Sequence, residues 1–302
     1  MSAESVALEH YADRRALVAD VADLAEAAWL SLATADLVGS WAELAGPLLV
    51  TLAGAQLAAA ESADGYLDAV LVDQGIDPDA DGTTNAQALA GVASDGRDLD
   101  TLLDQPMIAT LAAIADGAEL DLALATGYAT LDMLVRTQVA DAGRVADQVA
   151  LTARRASPGY VRMVVGRTCS RCIVLAGRFY RWNAGFDRHP RCDCVHIPAA
   201  ENDPADIRTN PKAFFESLTP AEQDRAFTRA GAEAIRLGAD IGQVVNARRG
   251  ALGLTPAGAR ITADEARLLR DGKDIGRLRT VRLFGQDVFV TTEGTTSRGL
   301  AG

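Results

Sequence analysis

The chain has 302 residues, 49% of them hydrophobic and 23% charged, with a formal net charge of −12. That length and apolar content predict a soluble globular protein with room for two domains and a sizeable core. The opening MSAESVALEHYADRR has no basic start followed by an apolar run, so no secretory signal is expected. A chain kept in a reducing cytoplasm is in turn expected to lack disulfides.

The total charge hides a division. Residues 1–150 hold five arginines, no lysine and 25 acids, a balance of −20, whereas the remainder holds 24 basic and 16 acidic residues, a balance of +8. Such asymmetry predicts two surfaces meeting different partners.

From Ser2 to about Gly75, Ala, Leu, Val, Asp and Glu dominate, and apolar residues recur three and four apart, as in LVADVADLAEAAWLSL; this is helical periodicity. Trp29 and Trp41 are expected to anchor the packing between successive helices. The uncharged run LAGPLLVTLAGAQLAAA, Leu44 to Ala60, is shorter than the ~20 apolar residues of a spanning helix and is expected to be a buried helix. A loop is expected at QGIDPDADGTTNAQ, where Gly, Pro, Asp and Asn cluster. Its aspartates Asp77, Asp79 and Asp81 do not keep the register of a calcium loop. Helical spacing resumes at Leu99, with interruptions at Pro106 and Gly117, and ends near ASPGY, Ala156 to Tyr160.

The pattern then changes. YVRMVVG, RFYRW and CVHIP are expected as short strands. Beyond a polar loop, SLTPAEQDRAFTRAGAEAIRLGAD predicts a helix with Thr219 as N-cap, Pro220 at the first helical position and Glu222 closing a capping box. Further helices are expected at DIGQVVNARRG and TADEARLLRDG. TVRLFGQDVFVTT predicts a hairpin turning at Gly285 and Gln286, and EGTTSRGLAG an extended or disordered tail.

All four cysteines lie between Cys169 and Cys194, in the order C-x2-C-x16-H-x2-C-x-C-x-H. A turn at Cys169 and Cys172 directs two sulfurs to one side, and Cys192 and Cys194 share one face of an extended strand, because side chains alternate with period two. Tetrahedral zinc takes four such ligands. The expected site is structural: Cys169 and Cys172, with two or three of His189, Cys192 and Cys194, holding strands that have too little core of their own. His196 continues the alternating face as a further donor. A redox pair at Cys169 and Cys172 would leave the other cysteines unexplained, and the glutamate of a zinc deaminase does not follow either histidine. A zinc-held nuclease using His189 or His196 remains the alternative function. A sequence-reading DNA regulator ranks last, since no finger helix is present.

CSRC, HPRCDC and NPKAFFESLTPAEQDRAFTRAGAEAIRLGADIGQVVNARRG together resemble the Mu F-like minor head proteins, the phage head morphogenesis family, over about residues 160–301 and more loosely over the helical half. The C-terminal VTTEGTTSRGLAG further resembles versions from phages or prophages of high-GC actinobacterial hosts, and the preference for arginine, with Lys212 and Lys273 the only lysines, fits them. By that resemblance Cys169, Cys172, His189, Cys192 and Cys194 match the family's metal positions, and His196 does not. The resemblance implies a non-enzymatic structural protein of the virion. It would act at the portal and capsid interior during head assembly, located in the phage head of the virion and, during assembly, in the host cytoplasm, with a structural Zn2+, portal or capsid partners and no membrane. Packaged DNA is a possible partner through Arg154, Arg155, Arg162, Arg167, Arg171, Arg178, Arg181, Arg188 and Arg191. Related domains fused to a protease or toxin exist in the family, but no Gly-x-Ser-x-Gly elbow occurs here.

The expected fold is therefore α+β, mostly α. An acidic helical domain spans 1–156. The Mu F-like domain spans 157–302, with a zinc-stabilised β-rich module at about 160–200 followed by helices and a closing hairpin.

Overall fold

A computed structural model describes residues 2–156, 159–165, 168–183, 194–199, 210–252, 279–283, 286–291 and 294–298. The chain forms two compact units. The first comprises Met1–Met163 with Phe179–Ile207, and the second Val164–Arg178 with Arg208–Gly302. The 160–200 stretch, expected as one module, is thus shared between them.

Six helices build the first unit: α1 (Ala3–Leu30), α2 (Leu37–Glu61), α3 (Ala63–Asp73), α4 (Leu99–Leu103), α5 (Gln105–Ala115) and α6 (Leu120–Ala153). Polar side chains cap the first two. Ser2 accepts from the Ser5 amide ahead of α1, and Asp36 from the Gly39 amide ahead of α2. Pro106 does not break a helix but sits in the first turn of α5, where its missing amide hydrogen costs nothing. Gly117, at φ +90°, ends that helix in the left-handed region that glycine adopts without strain. The core gathers Leu48, Leu52, Leu131, Val135 and Val139 around Trp29 and Trp41. As expected, these two rings join α1 to α2, meeting edge to face at 5.2 Å. Their indole N–H groups donate to Leu124 and Leu103 carbonyls, so the rings are held at both ends.

The Leu44–Ala60 run is helical, but it is not buried all round. Leu48, Leu52, Ala55 and Ala59 enter the core, while Val50, Gly54 and Ala58 face outward. The neighbouring helices cover only one side of α2. The stretch Leu37–Asp73 is long and apolar enough to cross a membrane by length and composition, with 17% of its most apolar window buried.

Three short strands complete the first sheet in the order β2 (Phe179–Arg181), β1 (Gly159–Val164), β3 (Cys194–Ala199). β1 and β2 are antiparallel, with Tyr160 opposite Tyr180. The alternation read in YVRMVVG does not produce an exposed face, for every residue of the central β1 is buried.

The second unit holds α7 (Ser170–Val174), α8 (Pro211–Ser217), α9 (Pro220–Arg236) and α10 (Ile241–Leu252), with the antiparallel sheet β4 (Arg279–Leu283), β5 (Gln286–Thr291), β6 (Gly294–Arg298). The capping box is formed as the sequence predicts: Glu222 accepts from the Thr219 amide at 2.9 Å while Thr219 accepts from the Glu222 amide. One interruption carries no local sequence signal. Thr228 stands at φ +62° inside α9, a conformation costly for a β-branched residue. Ile173, Phe215, Phe227, Ile235 and Val244 form the core of this unit.

At the C-terminus Leu283 pairs with Gln286, a register one residue off the expected turn at Gly285 and Gln286, and of the two alternatives for the tail the extended one holds for Gly294–Arg298, which is a third paired strand. The helix expected at TADEARLLRDG lies outside the described residues.

Candidate metal centre

Cys169 caps α7 and Cys172 lies within it, so one turn of helix brings the two sulfurs to 3.4 Å. That is far beyond a disulfide bond, near ~2.05 Å, so the two cysteines are not cross-linked to each other. Two sulfurs bound to one tetrahedral zinc at ~2.3 Å would stand ~3.8 Å apart, so the pair fits a shared ion after a shift of a few tenths of an ångström. Cys172 is buried and its neighbour Ile173 belongs to the core of the second unit, which fixes the short helix.

Cys194 opens β3 in the first unit, where it is 2% exposed. Arg162 Nη2 donates to its sulfur at 2.8 Å, and Arg144 Nε to its carbonyl at 3.2 Å. His189 and Cys192 lie outside the described residues. Among the described residues, no three His, Cys, Asp or Glu side chains gather as a metal site. The structure therefore brings Cys169 and Cys172 together, does not gather Cys194 with them as a third donor, and does not describe His189 or Cys192. His196 is packed into the first unit, its ring 4.5 Å from Tyr160 and its carbonyl accepting from Tyr66 at 2.6 Å.

The arginine surface expected to meet DNA is smaller than the sequence implies. Arg154 is buried, its guanidinium held by Asp64 at 2.9 Å and Asp68 at 2.7 Å. Arg162 is 2% exposed in β1. Neither can reach a phosphate outside the fold. Arg155 is exposed but bridges Asp79 and Asp81. Arg171, Arg178 and Arg181 are exposed, and Arg167, Arg188 and Arg191 lie outside the described residues.

A buried ion cluster in the first unit was not foreseen. Arg14 of α1 reaches Asp147 of α6 through two guanidinium nitrogens, at 2.5 and 2.9 Å. Gly143, one turn before Asp147, makes this possible: a β-carbon there would meet Arg14 Cζ at 2.9 Å. Burial alone would raise the Asp147 carboxyl, but the Arg14 charge and the contacts of His10 and Arg14 outweigh it, holding Asp147 far below the usual carboxylate range. His10 stacks on Tyr66 at 3.8 Å and is 3.5 Å from Asp147, a contact that does not form a hydrogen bond. Desolvation lowers its pKa against the opposing pull of Asp147. Burial pushes the Tyr66 phenol well above its ordinary value, with the Asp147 charge adding to it. The available signal was the i, i+4 pairing of His10 with Arg14 on a helix otherwise rich in alanine and acids.

No family model, curated protein or solved structure matched this chain in the comparisons made.

Proposed function

We propose that this chain is a minor head morphogenesis protein of a tailed phage. It acts without catalysis at the portal and capsid interior during head assembly, in the host cytoplasm and then in the virion. The observation that carries the reading is the convergence of the CSRC sulfurs to 3.4 Å on a helix anchored in the core of the second unit. That same unit begins α9 with the capped SLTPAEQ phrase on which the resemblance rests. Cys169 and Cys172, with two or three of His189, Cys192 and Cys194, would hold one zinc ion. Bound there, the metal would supply cross-linking of short segments rather than a reactive centre.

The partners proposed are the portal and capsid proteins, met by the acidic helical unit. Arg171, Arg178 and Arg181, exposed in the structure, are the described arginines best placed for packaged DNA.

The test is metal analysis of the purified chain together with capture of a portal protein encoded beside it. About one zinc per chain and a stable portal complex are expected. A metal-free, fully folded chain would remove the basis of the reading. Cleavage of DNA that disappears in a folded His189→Ala variant would replace it with a nuclease.

A further inference from the structure

The acidic half of the chain places four of its five arginines around one cavity. Residues 1–150 contain Arg14, Arg15, Arg97, Arg136 and Arg144, and all but Arg97 line a cavity of about 220 Å³ in the first unit. In a segment with a balance of −20, scattered arginines would be expected to neutralise scattered acids. Here four gather at a single concavity, and although Arg14, Arg136 and Arg144 pair with Asp147, Asp132 and Asp141, a small excess of positive charge stays there.

Helical geometry explains the gathering. Arg14 and Arg15 follow His10 and Tyr11 by one turn on α1, while Arg136 and Arg144 are two turns apart on α6, so the two helices present guanidiniums to the same space. Several are positioned before any ligand arrives. Asp147 orients Arg14, Asp132 accepts from Arg136 Nε at 2.6 Å, and Asp141 pairs with Arg144 at 3.0 Å. Arg15 lies over the Tyr11 ring at 5.8 Å. Of these three carboxylates only Asp147 lines the cavity. His10 lines it too, and its buried Nε2 has no hydrogen-bond partner. The remaining wall is apolar, with Val18, Val139 and Val195.

We propose that this cavity binds a small tetrahedral oxyanion of the phosphate class, free or carried as a monoester on a short stem. Guanidinium forks match phosphate oxygens in bidentate fashion. A phosphate dianion draws more from several surrounding guanidinium charges than a singly charged carboxylate does. The volume is below the ~300–1,000 Å³ typical of pockets for drug-sized ligands, which suits a small occupant. The apolar wall accommodates a short stem. The site shares no element with the CSRC pair, but Cys194, a candidate zinc donor, also lines it, so the titration is run on both metal-loaded and metal-stripped chain to keep the two readings apart.

The test is calorimetric titration of the full chain with inorganic phosphate at constant ionic strength, alongside glycerol phosphate, acetate and chloride. Saturable phosphate binding is expected, with the monoester at least as tight and with acetate at least tenfold weaker. Arg15 is exposed and Arg136 is 38% exposed, so Arg15→Gln/Arg136→Gln is expected to fold and to weaken phosphate binding at least tenfold. The single variant Arg136→Gln provides an intermediate loss should the double variant fold poorly. Arg97→Gln, remote from the cavity, is expected to bind as the parent does. Binding by chloride equal to that by phosphate would overturn the proposal. So would unchanged affinity in the folded Arg136→Gln and double variants, or an equal loss in Arg97→Gln.

Discussion

Gly127→Ala and Gly54→Ala make the same chemical change in two helices and are expected to shift stability in opposite directions. Both glycines lie inside helices, where alanine is favoured over glycine by about 1 kcal/mol. At Gly54 of α2 an added β-carbon meets nothing within 4 Å, so the propensity gain stands alone. At Gly127 of α6 the same carbon would fall 2.5 and 2.7 Å from Trp29 ring carbons and closer still to Thr110 Oγ1. Neither neighbour has room to yield. Thr110 is fully buried and donates to the Pro106 carbonyl at 3.0 Å, and Trp29 is pinned by its N–H bond and by Trp41.

Overpacking of this kind costs about 1–3 kcal/mol, and more when no side chain can rotate away. With a clash near the upper end and the propensity gain subtracted, Gly127→Ala is expected to lose about 2 kcal/mol. For a unit of this size that lowers Tm by about 4–8 °C, while Gly54→Ala raises it by about 2–4 °C. All three tryptophans, Trp29, Trp41 and Trp182, belong to the first unit, so thermal unfolding followed by tryptophan fluorescence reads that unit directly. A Gly127→Ala protein as stable as its parent, or two variants moving the same way, would refute the close approach of α6 to α1 and α5.

Asp147→Asn leaves the largely buried Arg14 facing a neutral partner and is expected to cost about 3 kcal/mol in urea unfolding, at the low end for a broken buried pair. Because the folded-state pKa of Asp147 is depressed, its contribution is present above the unfolded value near ~3.9 and is lost as pH falls below it. The lowered pKa of His10 acts in the same direction, its contribution fading as pH drops below about 6.5. The parent should therefore lose stability more steeply than Asp147→Asn between about pH 5 and 2, and parallel curves would contradict the assignment. Thr219→Ala removes the side chain that accepts from the Glu222 amide and should cost about 1 kcal/mol, read as faster amide exchange along α9. Chelation of the metal-loaded chain is expected to release about one zinc and to lower the unfolding temperature of the second unit, which contains Cys169 and Cys172; release without any change in stability would argue against a structural ion.

The features legible in the sequence were those set within a few residues. Helical periodicity between Ser2 and Gly75 gave α1–α3, the Thr219–Glu222 capping box gave the start of α9, and short runs of β-branched and aromatic residues gave the three strands of the first sheet. Each depends on local backbone geometry and hydrogen bonding that neighbouring residues specify by themselves. The CSRC spacing likewise specified its convergence, since one helical turn spans it.

Other features were decided by packing between distant segments. Arg154 reads as a basic surface residue, yet Asp64, ninety positions earlier, takes it into the interior. Arg162 is polar at what reads as an exposed position of an alternating strand, but neighbours cover both faces of β1. Gly127 and Gly143 look like helix-weakening residues until the rings and guanidinium of α1 are placed against them. The pairing of Arg14 with Asp147 spans 133 residues. A sequence fixes which side chains a helix presents on each face, but only the packing of helices decides which of those faces meet. The gathering of four arginines at one cavity follows from that packing and from no local pattern.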